Sequence, residues 1–190
     1  MKSRSARKRR TRLTRVDWLE AGQAVLMETG VGALRLAVLT RKLKVSSGSF
    51  YHHFRDMDDY LGALAEYYNT ARIQQQVDEI RMQTDDPVER MRQIGRRTWK
   101  SNLLRLDAAM RAWAVTEPRA RAALLASEKV TLDFMTESFI GAGFSEPDAV
   151  LRARLFVTLQ VAKLLSMSEL EANELRRELF QLLSKPPGRG

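Results

Sequence analysis

Apolar residues recur three and four positions apart along most of this chain, and this spacing constrains the fold more than any other feature. Such a period places apolar side chains on one face of an α-helix, whereas a half-buried strand would show strict alternation. The sequence shows neither a clear alternating pattern nor an internal repeat of fixed length. It therefore predicts an all-α protein.

The first helix is predicted to begin near Arg15, because Thr14 followed by Asp17 fits an N-terminal capping box. In that motif the hydroxyl of the capping residue accepts a hydrogen bond from a backbone amide in the first turn. The carboxylate accepts one from the backbone amide of the capping residue. Trp18 and later apolar residues then recur at helical spacing until Gly30 closes the helix. One face of this helix is expected to be core.

Two short helices follow. The apolar set within residues 36–43 spans two turns before Lys44-Val45-Ser46 interrupts it. Ser46 or Ser47 can cap a further short helix that runs to Phe54. Two short helices joined by a tight turn predict a helix-turn-helix.

The rest of the chain is predicted to form a larger helical domain. A long helix is expected from about Met57 towards Met82, and a proline at residue 87 opens the next one. Further helices are expected at residues 87–104, 106–116, 118–141, 146–166 and 169–184, divided by prolines, glycines and serines. The predicted organisation is a disordered basic arm at 1–13, a helix-turn-helix domain at 14–60, a helical domain at 61–184 and a frayed tail at 185–190.

Composition excludes several classes of protein. The 190 residues and 44% hydrophobic content suffice for a folded core. There is no cysteine, which excludes disulfides and thiolate metal sites. No apolar run approaches the roughly 20 residues of a membrane span, and the N-terminus lacks the apolar block of a secretory signal. We therefore expect a cytoplasmic protein without a membrane partner.

The net charge of +9 comes almost entirely from the N-terminus, where residues 1–15 carry eight lysines and arginines and no acid. A block of like charge cannot bury enough apolar surface to become ordered, so its partner would be a polyanion. Three roles remain open for it: a DNA-binding arm that neutralises phosphates, a solvated tail, or a nuclear localisation tract.

The stretch VSSGSFYHHF at residues 45–54 holds both histidines of the chain. Adjacent His52 and His53 diverge by about 100° on a helix, so they cannot share one metal ion. Ser49 and His53 lie four apart and could act as nucleophile and base, but no third residue is evident to orient the histidine. The sequence therefore predicts neither a metal site nor an enzyme, and it implies no cofactor.

The composition of the same stretch and its surroundings favours a DNA-binding surface. Residues 35–55 contain five basic residues and no acid, which predicts a phosphate-facing surface. Small residues Ser47, Gly48 and Ser49 would let the helix backbone approach base edges. Tyr51, His52 and His53 could reach phosphates or thymine methyls, with the phenylalanines turned to the core. An ordinary surface helix is the alternative.

The run from Leu13 to Leu64 resembles the N-terminal domain of the TetR family of bacterial transcriptional regulators. In that pattern a glycine ends the first helix, and the recognition helix follows valine-serine with small residues, aromatics, histidine and phenylalanine. The matching positions are Gly30, Val45, Ser46, Gly48, Ser49, Phe50, Tyr51, His53 and Phe54. The resemblance implies DNA contacts by Ser47, Ser49, Tyr51, His52 and His53, with Gly48 allowing close approach. The predicted DNA-binding set also includes Ser46 and the basic residues Arg35, Lys44 and Arg55.

Three positions depart from the family pattern. Thr40 stands where alanine is usual, Lys44 replaces the turn glycine, and Met57 replaces a lysine that would meet a phosphate. A non-glycine residue in a left-handed turn would cost roughly 1 kcal/mol. Arg55 could supply the missing phosphate contact.

The resemblance also implies a small-molecule effector pocket in the second domain. Its weak candidates are Tyr67, Tyr68, Leu103, Met110, Trp113 and Phe134. Within LDAAMRAWA, at residues 106–114, the apolar stripe that includes Met110 and Trp113 can be either plain core or part of this cavity.

The last two helices resemble the family's dimer interface. The penultimate helix is apolar nearly all round, which predicts burial on two sides. The expected interface residues are Leu151, Leu155, Phe156, Leu159, Leu175 and Leu179. A symmetric homodimer would bind an inverted-repeat operator. The sequence is thus interpreted as a DNA-binding regulator, expected to be a repressor released by an effector, and the alternative is a non-specific basic nucleic-acid-binding protein without an effector.

Overall fold

The computed structural model describes residues 13–68, 70–100, 103–161 and 168–185. Within these ranges the regular structure is helical and contains no strand, which confirms the all-α prediction. Of the predicted arm and tail, residues 1–12 and 186–190 lie outside the described residues. The helices are α1 Arg15–Thr29, α2 Leu36–Leu43, α3 Ser47–Tyr51, α4 Met57–Tyr67, α5 Thr70–Gln83, α6 Pro87–Lys100, α7 Leu103–Ala114, α8 Pro118–Gly141, α9 Glu146–Val161 and α10 Glu169–Ser184.

The predicted cap of α1 is confirmed. The Asp17 amide donates to the Thr14 hydroxyl at 3.2 Å, and the Thr14 amide donates to the Asp17 carboxylate at 2.6 Å. At the other end the Gly30 amide donates to the Leu26 carbonyl at 3.0 Å, with Gly30 at φ 80°. This positive φ favours glycine because it has no Cβ to clash with the backbone.

The chain divides after Leu64, within α4, into two compact units. An aromatic cluster forms the core of the N-terminal unit. The Phe50 ring lies 5.4 Å from Trp18 and 5.6 Å from Tyr60, and Phe54 lies 5.0 Å from Tyr60, all between centroids. All four side chains are almost completely buried. Edge-on and tilted aromatic pairs of this kind add to the free energy of burial, so α1, α3 and α4 are held by one cluster.

The C-terminal unit is organised around α8, the longest described helix at 24 residues. It packs against α5, α6, α7 and α9, and α10 packs on α9. The core is formed by Val77, Ile80, Met91, Ile94, Phe134, Met135, Phe139, Phe144, Ala149, Ala153, Phe156 and Leu183. No described helix is both long and apolar enough to cross a bilayer.

Some helix boundaries differ from prediction. The long helix expected at residues 57–82 is two helices, because α4 ends at Tyr67 and α5 begins at Thr70. The Tyr68 amide donates to the Ala65 carbonyl in a tighter turn, and the buried Tyr68 hydroxyl donates to Asp107 at 2.9 Å. The Tyr68–Asp107 contact spans 39 residues, and helical periodicity does not record contacts of this kind.

The short helix predicted to run to Phe54 also ends early, since α3 stops at Tyr51. The His53 and Phe54 amides both donate to the Phe50 carbonyl, so the chain tightens and turns Phe54 into the core. Of the two predicted capping residues, Ser46 and Ser47, Ser46 is at the N-cap position, but its side chain makes no capping hydrogen bond.

Candidate nucleic-acid interface

The turn between α2 and α3 is left-handed at Lys44, which has φ 56° and ψ 45°. The Lys44 amide donates to the Arg41 carbonyl at 3.3 Å, and the Val45 amide donates to the Thr40 carbonyl at 3.1 Å. These bonds satisfy carbonyls at the end of α2. The family glycine is therefore replaced without loss of the turn geometry, at the steric cost expected for a lysine in this conformation.

Thr40 occupies the position where alanine was expected, and its hydroxyl has a local partner. It donates to the Leu36 carbonyl at 2.9 Å and lies 3.2 Å from the Ala37 carbonyl. The extra polar group is satisfied within its own helix, so α2 keeps its regular path.

The short helix α3 has one buried anchor and an outward face. Phe50 is completely buried, whereas Tyr51 is 59% exposed. Ser46, Ser47, Gly48 and His52 are also exposed, and Ser49 and His53 are half-buried. A Cβ added at Gly48 would meet only the Ser46 hydroxyl oxygen, at 3.8 Å, so the backbone of this turn is open to a neighbouring molecule.

The positive surface is smaller than the sequence count suggests. Lys42 lies 2.9 Å from both carboxylate oxygens of Glu28, and the Arg55 Nε lies 3.1 Å from Asp56. The hydrogen bond and charge of Asp56 raise the pKa of Arg55 above its ordinary value. Both acids lie outside residues 35–55 in sequence, so at least two of the five basic groups there have acidic partners. Arg35, Arg41 and Lys44 are exposed around the helix-turn-helix.

The described residues contain no group of three or more histidine, cysteine, aspartate or glutamate side chains that could hold a metal ion. Hydrogen bonds from Thr14 lower the pKa of Asp17 below its ordinary value. His53 is half-buried and follows His52, the C-cap residue of α3.

The C-terminal unit contains a cavity of about 90 Å³. Of the six pocket candidates, Tyr68 lines it. Met110 and Trp113 are buried but do not line this cavity, and Phe134 belongs to the core around α8. Tyr67 is half-buried elsewhere, and the side chain of Leu103 lies outside the described part of the structure.

The residues expected at the dimer interface are in three environments. Leu151 and Leu155 on α9 and Leu175 on α10 are exposed large apolar side chains. Leu159 and Leu179 are half-buried where α9 meets α10. Phe156 is buried in the core of the unit itself, so it is not available to a partner chain.

Sequence prediction missed the polar cluster that borders the cavity. It joins Tyr68, Asp107, Arg111 and Glu128. The spacing of four between Asp107 and Arg111 on α7 is the one local signal that could have indicated part of it.

Comparisons with known proteins agree with this geometry. Residues 19–64 match the model of the bacterial regulatory proteins, tetR family. Comparison with curated proteins gives no match. A TetR-family transcriptional regulator from Streptomyces coelicolor is 18% identical, with a TM-score of 0.73 over 90% of this chain and 93% of that chain.

Two further solved structures have the same fold. A TetR-family regulator from Agrobacterium tumefaciens is 14% identical, with a TM-score of 0.74 over 88% of this chain and 96% of that chain. AibR, solved with isovaleryl coenzyme A and operator DNA, is 18% identical, with a TM-score of 0.68 over 91% of this chain and 99% of that chain.

Proposed function

We propose that this chain, a member of the TetR family of bacterial regulatory proteins, is a transcriptional regulator that represses through an operator and is released by a small molecule. One observation carries the DNA-binding part. Phe50 fixes α3 in the core, while Ser47, Gly48 and Tyr51 of the same short helix and its C-cap residue His52 remain exposed. A family of this kind acts by binding rather than by catalysis, and we assign no reaction to the chain.

The contacts divide into base-reading and backbone-positioning groups. Ser47, Ser49 and His52 can exchange hydrogen bonds with base edges in the major groove, and exposed Gly48 allows the close approach that this needs. Ser46, Tyr51 and His53 are assigned to the sugar-phosphate backbone, together with the cations of Arg35, Lys44 and Arg55. The ion pair with Asp56 reduces the positive charge that Arg55 offers to a phosphate.

The proposed assembly is a homodimer through α9 and α10. Exposed apolar surface on a folded unit marks an interaction site when several such side chains lie together. Leu151 and Leu155, one helical turn apart on α9, supply such surface, and Leu175 on α10 is exposed as well. A two-fold dimer presents two copies of α3 to successive major grooves, so the operator would be an inverted repeat with half-sites roughly 34 to 36 Å apart or a multiple of that distance.

Release would follow from linkage between two sites. An effector that binds better to a dimer with the wrong spacing of recognition helices must weaken operator binding by the same coupling energy. The cavity in the C-terminal unit supports this part of the proposal. The likeness to AibR, which was solved with both an acyl-coenzyme A and operator DNA, is consistent with it.

The test measures binding of the full chain to DNA upstream of its own gene and to a shuffled control, across a range of salt concentrations. A second protein lacks residues 2–12, and the deletion stops there because Thr14 caps α1. We expect both proteins to prefer the upstream DNA by about 10³-fold or more. The basic arm would then add salt-dependent affinity without setting the sequence preference.

The other outcome would favour a non-specific basic nucleic-acid-binding protein. In that case both DNAs bind alike and the truncated protein binds neither, because residues 2–12 supply the affinity. Such a result would contradict the proposed role of α3.

A further inference from the structure

The cavity of the C-terminal unit has a mostly hydrocarbon wall with one charged side. Helices α5 to α9 all contribute to it. Ile73, Ile94, Leu104, Phe156 and Val157 provide apolar surface. A ligand bound here would therefore bury hydrocarbon, and its polar end would have to face either the charged side or the neutral polar side chains of Gln76, Thr98, Ser127 and Thr131.

The charged side consists of one guanidinium between two carboxylates. The Arg111 Nε donates to Asp107 at 2.6 Å, and the Arg111 Nη1 lies 2.6 Å from Glu128. The Tyr68 hydroxyl donates to the other oxygen of Asp107 at 2.9 Å. Asp107, Arg111 and Glu128 are the charged residues among the described lining, so the wall carries one formal negative charge in excess.

This excess charge matters because the site is partly withdrawn from water. The side chain of Asp107 is 17% exposed and that of Glu128 is 26% exposed. Coulomb interactions are stronger there than in bulk solvent. Burial, and then the neighbouring Asp107, raise the pKa of Tyr68, which therefore stays a neutral hydroxyl and does not add to the charge.

The hydrogen-bonding groups of the charged side favour the same kind of ligand as its excess negative charge does, namely a cationic donor. Ionised carboxylates only accept hydrogen bonds, so a ligand that meets Asp107 and Glu128 must donate. Arg111, the cation of the cluster, is already directed at both carboxylates. An anionic ligand would have to displace one of them, whereas an ammonium group would add donors and reduce the excess charge.

We propose that this cavity binds a short aliphatic amine as its ammonium ion, with nitrogen at Asp107 and Glu128 and hydrocarbon against Ile94 and Phe156. The inference rests on the proposed function, since it names the chemical class of the effector. The cavity is smaller than the roughly 150 Å³ that accommodates benzene, so the buried part of the ligand is about five heavy atoms.

The test compares three probes of nearly equal shape and different charge: butylamine, butan-1-ol and butanoate. Their binding to the full chain is measured by ligand-observed NMR titration at pH 7. We expect butylamine to bind at least tenfold more tightly than butan-1-ol, and butanoate to bind most weakly. Equal binding of the three, or a preference for butanoate, would overturn the proposal.

A variant that removes one negative charge tests whether the preference for butylamine depends on Glu128. Glu128→Gln preserves shape and keeps an oxygen that can accept from Arg111, but it makes the wall formally neutral. We expect the affinity ratio of butylamine to butan-1-ol to fall at least fivefold while butan-1-ol binding is unchanged. Asp133→Asn removes one charge from the exposed surface of the same helix and is the matched control. An unchanged ratio in Glu128→Gln, or an equal fall in the control, would contradict the assignment.

Operator binding is measured separately, so that two failures can be told apart. If butylamine binds as expected but does not alter operator affinity, the ligand class is supported and effector release is wrong. If the operator is bound but butylamine is not preferred, the ligand class is wrong and the DNA-binding function is untouched.

Discussion

The hydroxyl of Tyr60 donates a 2.9 Å hydrogen bond to the backbone carbonyl of Trp18. This contact brings α4 against the backbone of α1 at Gly22. A Cβ added there would lie 1.9 Å from the Tyr60 oxygen and 3.1 Å from Leu64 Cδ2. The aromatic core that orients α3 therefore depends on a glycine in the middle of the first helix.

Gly22→Ala is expected to destabilise the N-terminal unit by about 1–3 kcal/mol, because the added methyl overpacks the junction of α1 and α4. Tyr60→Phe should cost about 1 kcal/mol through the lost hydrogen bond. The double variant should cost less than the sum, since removal of the hydroxyl relieves the closest contact. Hydrogen exchange of α1 and α4 amides measures these free energies within the intact chain. Additive costs would contradict this account.

Gly48→Ala is the matched substitution at a glycine with open surroundings. Its Cβ would meet only the Ser46 hydroxyl, at 3.8 Å, and alanine has the higher helix propensity, so the fold should be unchanged or slightly more stable. If the backbone of α3 approaches base edges, the added methyl will nevertheless weaken operator binding, by about tenfold or more. Fluorescence anisotropy with labelled operator measures this loss. Parental affinity would show that Gly48 is not at the DNA.

Lys44 combines a strained conformation with a positive charge, and two variants separate the two effects. Lys44→Ala and Lys44→Gly both remove the charge, but only glycine relieves the left-handed strain at φ 56°. We expect Lys44→Gly to be more stable than Lys44→Ala by about 1 kcal/mol. In both variants the slope of log affinity against log salt concentration should fall by about one if Lys44 meets a phosphate. Equal stabilities of the two variants would exclude strain at Lys44. An unchanged slope would exclude a contact between Lys44 and a phosphate.

These positions show which structural features can be predicted from the sequence alone. The cap of α1 at Thr14 and its end at Gly30 follow from neighbours within a few residues, and both were predicted correctly. The Glu28–Lys42 pair spans 14 residues and the Tyr68–Asp107 bond spans 39. Contacts of that kind depend on how helices pack, so neither the reduced positive surface nor the break at residue 68 could be derived from periodicity.

The candidate sites divide in the same way. The outward face of α3 could be read from the sequence because buried phenylalanines fix its orientation. The cavity could not, because its charged side is assembled from the separate elements that carry Tyr68, Asp107 and Glu128. Met110 and Trp113 have the helical spacing of a buried apolar stripe. This spacing is the same whether the stripe lines a cavity or packs against another helix.

Tyr51 and Ser47 are expected to act on different aspects of DNA binding. Tyr51→Ala removes a largely exposed side chain assigned to the phosphate backbone, so affinity should fall similarly for operator and shuffled DNA. Ser47→Ala removes a hydroxyl assigned to a base edge and should change the preference among operator variants by about 1–3 kcal/mol at one position. Competition binding against single-base operator variants measures both. If Tyr51→Ala binds operator as the parent does, the proposed docking is wrong.

The exposed leucines of α9 test the assembly on which operator recognition depends. Leu151 is 56% exposed and Leu155 is 42% exposed, so a glutamate at either position would be solvated in an isolated chain and buried in a dimer. Burial of an unpaired charge is costly, so Leu151→Glu and Leu155→Glu should yield a monomer in sedimentation equilibrium while helix content is retained. Operator affinity should then fall by at least 100-fold, because one recognition helix binds in place of two. Leu125→Glu is the matched control, since Leu125 on α8 is 54% exposed and lies outside α9 and α10. A monomeric parent, or α9 variants that remain dimeric like the control, would place the interface elsewhere.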